Sequence, residues 1–261
     1  MTTREVVRDF DRISPAYDAT REPLEPTALD RMADQLRAGG VTSILEIGVG
    51  TGRIARPLLD RGFEVTGLDA SWGMLSRARS KQLPRLVRGS AYRLPFDGGA
   101  FDATLFVHVL HLLDRPLAAL SDAGRVSRRG TFALVRPHGD PLGQARDAHR
   151  ARRIVYRILA EQGYPMPSRG DGPGGKEREI LTVFPPDELT VVFDRTETAP
   201  LARPLEMFSR RAHRHTLDIP GEVVDRAVAA ARKEVGDATF TFRRVETLAQ
   251  WRVPLRPPVA A

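Results

Sequence analysis

The sequence predicts an α/β fold: a mostly parallel sheet of seven strands with helices on both faces. Three observations carry this. From Val41 to Val135, short apolar stretches alternate with amphipathic helical ones, the rhythm of a parallel sheet with right-handed crossovers. A glycine-dense turn, Gly48-Val49-Gly50-Thr51-Gly52, joins the first apolar stretch to the first helix. Two further strand-like stretches, Leu189 to Thr196 and Thr239 to Val253, follow a basic, helical interval.

Taken in order, residues 1–40 read as helical and polar, broken near Pro15, Pro23 and Pro26. Ile44-Leu45-Glu46-Ile47 is the first strand, ended by the glycine turn. The next helix carries Ile54, Leu58 and Leu59 at helical spacing, tolerates Pro57 early, and closes at Arg61-Gly62. Phe63 to Leu68 is the second strand, ending at Asp69, and Ser71 is placed to cap a helix running to about Ser80. Arg85-Leu86-Val87-Arg88 is a weak third strand and Phe101 to Val107 the fourth. Leu117 to Val126 is an amphipathic helix, and Thr131 to Val135 the fifth strand, leading into Arg136-Pro137-His138. Residues 141–164 read as a basic helix, and Met166 to Gly175 as a Gly- and Pro-rich loop. Pro204–Arg214 and Pro220–Val235 read as two helices between the last strands, and Pro257-Pro258 opens a tail.

Composition narrows the classes. With 261 residues, 41% of them apolar and 28% charged, the chain can bury a sizeable core. It contains no cysteine, which excludes disulfides, zinc–thiolate sites, iron–sulfur clusters and a cysteine nucleophile. No apolar run approaches the ~20 residues of a membrane helix. Met1-Thr2-Thr3-Arg4-Glu5 offers no apolar secretion signal, so the expected location is the cytoplasm and no membrane partner is expected. The net charge is +7, and only Lys81, Lys176 and Lys233 of the 40 basic residues are lysines. Such a charge admits nucleic acid or anionic substrates. Nucleic acid is not favoured, because Arg210-Arg211 and similar runs are not interleaved with stacking aromatics.

The glycine turn and Asp69 carry the functional signal. Glycines let the backbone turn tightly and approach a ligand closely. The helix behind the turn offers free N–H groups to an anion. A carboxylate ending strand two can accept hydrogen bonds from vicinal ribose hydroxyls, and here Asp69 lies twenty-one positions after Gly48. The ligand expected is nucleotide-like. The third glycine comes one residue earlier than in the Gly-x-Gly-x-x-Gly dinucleotide fingerprint, which disfavours an oxidoreductase.

The stretch Ile44 to Gly52, with Glu46 two residues before the first glycine, resembles motif I of the class I S-adenosylmethionine-dependent methyltransferases. Gly89-Ser90-Ala91, Leu94-Pro95-Phe96 and Phe101-Asp102 are similar to the segment those enzymes carry between strands three and four. His108-Val109-Leu110-His111 and Ser127-Arg128-Arg129-Gly130 resemble their later motifs. Phe10-Asp11-Arg12 and Tyr17-Asp18 are similar to the N-terminal helix of the ubiquinone/menaquinone-biosynthesis-like, type 11 branch. The resemblance covers about residues 10–137. It implies a Rossmann-like seven-stranded sheet with a helical lid, and S-adenosyl-L-methionine as cofactor.

Site residues follow from the resemblance. Gly48, Gly50 and Gly52 would hold the methionine end of the cofactor, and Glu46 would orient that loop or reach the amino group. Asp69 would take the ribose, Ala70 and Met74 would flank the adenine, and Ser90 and Ala91 would meet its edge. Ser90 stands where the family often has an acid, so a backbone contact or a water must serve the adenine amine there. Val107 would line the cofactor at the end of strand four. Tyr17 and Arg21 could close over the methionine carboxylate; the alternatives are a helix-capping aromatic and a solvated charge. Four segments are expected within one catalytic domain: an N-terminal helical cap (1–40), the cofactor-binding core (41–138), a lid insertion (139–188), and the last strands with a second helical lid segment (189–261).

Methyl transfer from a sulfonium is a direct displacement, so alignment and desolvation do most of the work. His108 and His138 are the catalytic candidates, as bases for an acceptor that must lose a proton. Packing in a loop is the alternative for His108, and solvent exposure for His138. His111 is expected to be structural. Phe184, Phe193, Met207 and Phe208 could line an apolar pocket or belong to the core. No metal site is expected, since Asp140 alone is thin support for one. The function expected is methyl transfer to a small-molecule acceptor, with a homo-oligomer neither required nor excluded. RNA or another anionic polymer is one alternative acceptor; a cofactor-binding protein or rearrangement catalyst that transfers no methyl is another.

Overall fold

The computed structural model describes residues 3–21, 23–136, 149–166 and 173–255. Seven strands form one sheet in the order β3-β2-β1-β4-β5-β7-β6. They are β1 (Ser43–Ile47), β2 (Glu64–Asp69), β3 (Arg85–Arg88), β4 (Phe101–Val107), β5 (Ser127–Val135), β6 (Glu188–Pro200) and β7 (Thr239–Arg252). The first five run parallel. β7 runs antiparallel to both β5 and β6. Ile47 sits beside Leu68 of β2 and Phe106 of β4, and Phe106 beside Ala133 of β5. This register brings the carboxyl ends of β1, β2, β4 and β5 out along one edge, where ligands bind in such sheets.

Both faces of the sheet are covered, which is why β1 and β4 are buried along nearly their whole length. One face packs on α2 (Pro26–Ala38), α3 (Ala55–Asp60) and α4 (Trp72–Ser80) through Met32, Leu36, Leu58 and Leu75. The other packs on α5 (Pro116–Val126) and α7 (Pro173–Val183) through Leu120, Ala123 and Ile180. Successive residues of β1 serve opposite cores: Ile44 the first, Leu45 the second. Ser71 caps α4 as its type predicts, its side chain accepting from the Met74 amide.

A third core lies apart from the sheet. Ile154, Val155 and Leu159 of α6 (Arg150–Glu161), Phe208 of α8 (Glu206–Ser209), and Val224, Ala227 and Val228 of α9 (Gly221–Val235) pack together. This helical unit adjoins an arm of the sheet. β7 pairs with β5 only over Thr247–Arg252, whereas its pairing with β6 runs on to Thr239 opposite Pro200.

Two stretches differ from expectation. The helix expected over Pro204–Arg214 shrinks to a 3-10 turn at Arg203–Leu205 followed by α8. Arg211 takes φ 52° and the Ala212 amide donates back to the Met207 carbonyl at 2.8 Å, which ends the helix. The loop expected over Met166 to Gly175 yields to α7 at Pro173, a residue suited to a first helical turn. Tertiary contact holds that helix: Lys176 Nζ donates to the Leu113 carbonyl at 2.7 Å. His138, Asp140, residues 167–172 and Pro257-Pro258 lie outside the described residues. Among the described residues, no helix is long and apolar enough to cross a membrane.

Candidate functional site

A cleft of about 930 Å³ opens along the carboxyl edge of the sheet and runs beneath the helical unit. The turn after β1 forms its floor. Gly48, Gly50 and Gly52 all adopt positive φ, at 75°, 56° and 77°. Their reasons for being glycine differ. A Cβ on Gly48 would come within 2.6 Å of Val109 Cγ2, and one on Gly52 within 2.1 Å of Leu83 Cδ1. A Cβ on Gly50 would meet only the Gly48 carbonyl oxygen, at 4.0 Å, so at Gly50 the backbone faces open space. The Gly48 and Val49 amides both donate to the Leu68 carbonyl, at 2.7 and 3.0 Å, which fastens the turn to the end of β2.

Asp69 ties the next two loops together. Its Oδ2 accepts from the Gly50 amide and its Oδ1 from the Ser71 amide, each at 2.8 Å. Burial pushes its carboxyl up, while these amides and that of Ala70 pull it down. Glu46 lies beneath, 2% exposed, with Oε2 lacking any hydrogen-bond partner. Burial first, and then the charge of Asp69, push the Glu46 carboxyl up to about 8, so it carries its proton at neutral pH.

The N-terminal segment is stitched onto this floor. Asp11, on α1 (Thr3–Ile13), accepts from Ser71 Oγ at 2.6 Å and from the Gly73 amide at 2.8 Å. Asp18 accepts from Thr51 Oγ1 and pairs with Lys81 Nζ, each at 2.5 Å. Tyr17 lies between them, edge-on to Phe10, with the Arg21 guanidinium 4.8 Å from its ring centre.

Tyr17, Arg21, Glu46, Gly48, Gly50, Asp69, Ala70, Met74, Ser90, Ala91, Val107 and His108 therefore all line one cleft. Gly52 does not; it packs behind the turn against Leu83. Of the four apolar residues weighed for a pocket, Met207 lines the cleft. Phe184 stacks on Trp251, and Phe193 and Phe208 are core residues.

His108 follows β4 with φ 54°, an uncommon backbone state for a residue with a side chain. Its Nε2 lies 3.6 Å from Glu246 Oε2 and 3.4 Å from Arg136 Nη2. Burial, and next the Arg136 charge, push its imidazole down to about 3, so it is neutral at pH 7. His111 is held at 3.1 Å by the buried Glu177, which fits a structural role.

Several cleft residues went unread in the sequence. Arg136 follows β5 at the sheet edge and pairs with Glu246 at 2.6 Å; position at a strand end could have flagged it. Arg53 lines the floor, and burial lowers its pKa. Arg152, His213, Phe240, Phe242 and Arg244 come from the helical unit and the arm, with no local signal to announce them. His213 is 6% exposed and stacks on Phe208, with ring centres 4.3 Å apart.

Comparison with known proteins finds a matching domain family, relatives and a shared fold. Residues 45–135 match the family model described as a methyltransferase domain. A demethylmenaquinone methyltransferase of Renibacterium salmoninarum is 31% identical over 143 residues, 52% of this chain and 60% of that one. An uncharacterized methyltransferase of Mycobacterium tuberculosis is 31% identical over 170 residues, 64% of this chain and 65% of that one. The chain thus spans about three fifths of the length of the curated relatives it matches. Among solved structures, a Thermotoga maritima protein described as a methyltransferase, possibly a histamine N-methyltransferase, superposes with TM-score 0.50. It is 18% identical, and the match covers 93% of this chain and 98% of that one. The 4+2 cyclase SpnF superposes equally, at 0.50 with 19% identity, over 95% and 97% of the two chains. Both show the shared fold.

Proposed function

We propose that this chain, whose residues 45–135 are a class I S-adenosylmethionine-dependent methyltransferase domain, transfers a methyl group from that cofactor to a small molecule. The observation that carries this is the floor of the cleft, where two left-handed glycines, Gly48 and Gly50, meet Asp69 and Glu46 at the carboxyl ends of β1 and β2. The residues fit the cofactor. Gly50 leaves open space where any other residue would put a Cβ. Asp69 has used one hydrogen-bond site on each oxygen and keeps others for ribose hydroxyls. Glu46 Oε2 is a buried polar atom without a partner.

When bound, the cofactor supplies a methyl group on a positively charged sulfur. The chain's task is to align the acceptor with it and to keep water out. Met74 and Ala70 flank the adenine in this reading, Ser90 and Ala91 meet its edge, and Val107 bounds the methyl side. Tyr17 and Arg21 close over the methionine carboxylate. The helical unit and the arm serve as the lid. His108, neutral over the working pH range, shapes the acceptor pocket; alignment, and not proton abstraction by this ring, supplies the rate. The protein works in the cytoplasm in this reading.

The test has two readouts. Calorimetry should show binding of S-adenosylhomocysteine and no binding of NAD. Incubation with methyl-labelled cofactor and a panel of phenols, amines, carboxylic acids and quinols should label at least one small acceptor. The quinols belong in the panel because relatives carry the name demethylmenaquinone methyltransferase. Cofactor binding without label on any acceptor would favour a rearrangement catalyst, and label on RNA would favour a polymer acceptor.

A further inference from the structure

We propose that the acceptor carries a carboxylate or phosphate group, and that Arg152 and the Nδ1 atom of His213 hold it on the helical wall of the cleft. This rests on the methyl-transfer function above and names the class of molecule that it acts on.

His213 is the first support. Its Nε2 is engaged by the Tyr156 hydroxyl at 3.0 Å, and its ring is clamped against Phe208. Its Nδ1 is buried and has no hydrogen-bond partner. Burial keeps the ring neutral, and the positive charges of Arg152, Arg21 and Arg214 act in the same direction. We assign the tautomer in which Tyr156 donates to Nε2, so that the single ring proton sits on Nδ1. That leaves an N–H donor without an acceptor, in a residue lining the cleft. A buried unmet donor costs free energy that a ligand's oxygen would recover.

The arginines are the second support. Arg152 and Arg21 line the cleft and are half-buried. Neither has a carboxylate partner among the described residues. The Arg21 guanidinium lies over the Tyr17 ring and, through Nη1, meets Met207 Sδ at 3.6 Å. By contrast, Arg61 is paired with Asp30 and Arg244 with Glu246, while Arg53 on the floor, like Arg152 and Arg21, has no carboxylate partner among the described residues. Arg152 and Arg21 both act on His213, and neither has a carboxylate partner among the described residues, so an anion entering here would offset their charge.

The carboxylates that line the cleft do not supply that anion. Glu46 is protonated at neutral pH, Asp69 belongs to the floor, and Glu177 is held by His111 and the Arg136 amide. Glu206 faces Arg210 at 3.9 Å. The cofactor brings one carboxylate, enough for Arg21 beside Tyr17. Arg152 and the His213 N–H then remain for the acceptor. A guanidinium and a neutral N–H from two residues that line one cleft suit a group with two anionic oxygens.

Matched probes decide this. Protein with and without S-adenosylhomocysteine is titrated calorimetrically with benzoate against benzamide, and with phenyl phosphate against phenol. At least one anion should bind about tenfold more tightly than its neutral partner. Arg152→Gln should abolish the preference and Arg152→Lys should restore part of it. Affinity of Arg152→Gln for S-adenosylhomocysteine should stay within about twofold of wild type. Thermal melting checks that the variant is folded; if it is not, Arg152→Met, which keeps the apolar stem, takes its place. Which anion gains the preference tells carboxylate from phosphate. Equal binding of acid and neutral partner, no binding of any probe at about 10 mM, or a preference that survives in Arg152→Gln overturns the proposal. Failure to bind S-adenosylhomocysteine would instead sink the methyl-transfer function, and the titrations without it still decide the anion site.

Discussion

On the sheet wall of the cleft the chain itself fixes the carboxyl groups: Asp69 accepts from the Gly50 and Ser71 amides, Asp11 from Ser71 and Gly73, and Glu46 stays neutral by keeping its proton. On the helical wall Arg152 and His213 Nδ1 have no such partners among the described residues. The first wall is therefore set before any ligand arrives. The second keeps unspent polar capacity, and its charge balance waits on what binds. A site built this way holds one molecule by shape and backbone and selects the other by charge.

The largest expected effect tests how tightly the sheet wall is packed. Gly52→Val places a branched side chain at φ 77° where even a Cβ would meet Leu83 at 2.1 Å. Backbone strain and overpacking together should cost about 2–5 kcal/mol in urea denaturation. Gly163→Ala, in the helical unit at φ 86° with nothing within 4 Å, should cost only about 1–2 kcal/mol. Equal losses would mean that the two walls are packed alike.

Next comes the division of labour in binding. Asp69→Ala should weaken S-adenosylhomocysteine by roughly 1.5–3 kcal/mol, the range for hydrogen bonds to a charged group. Unchanged affinity in calorimetry would remove Asp69 from the cofactor site and, with it, the contrast drawn above.

The walls should also answer pH with opposite signs. Glu46 has its pKa raised from 4.5 to about 8 on folding. Between those values the folded chain keeps a proton that the unfolded chain has released. Stability therefore falls as pH rises through this window, by at most about 1.4 kcal/mol per unit. His213 has its pKa lowered from 6.5 to about 3. There the unfolded chain binds the extra proton, so stability falls as pH drops below 6.5. His108 adds to the same acid-side loss. Denaturation at pH 6.5 and at pH 8 should show Glu46→Gln losing less than wild type over that interval. A parallel loss in both proteins would mean that Glu46 is ionised in the fold.

The smallest expected effect is at the seam between the walls. With His108 pushed down to about 3, no rise in rate should appear near the ordinary histidine midpoint of ~6.5. His108→Gln should keep the wild-type pH profile at a modestly altered rate. A rise through ~6.5 that vanishes in the variant would restore His108 as the base.

Legibility followed the same seam. The strands from β1 to β5, the Ser71 cap and the glycine turn are written in short spans, where apolar alternation and residue type are decided by neighbours a few positions away. The α8 segment was not legible, because Arg211 at positive φ ends it against the sequence's helical spacing. Nor was α7, whose first turn looks like a loop until Lys176 and Glu177 find Leu113 and His111.

By itself, the sequence determined the sheet, its ligand-binding edge, the left-handed turn and the acid that ends β2, because each is local and each demands a particular residue type. Only the tertiary structure decided the chemistry around them. Glu46 is neutral because the fold buries it beside Asp69, and His108 is held neutral by burial and, next, by the Arg136 charge arriving from the end of β5. The helical wall joins Arg152 and His213, sixty-one positions apart in sequence. Burial and the approach of distant charges set a group's protonation and partners, and no spacing along the chain records either.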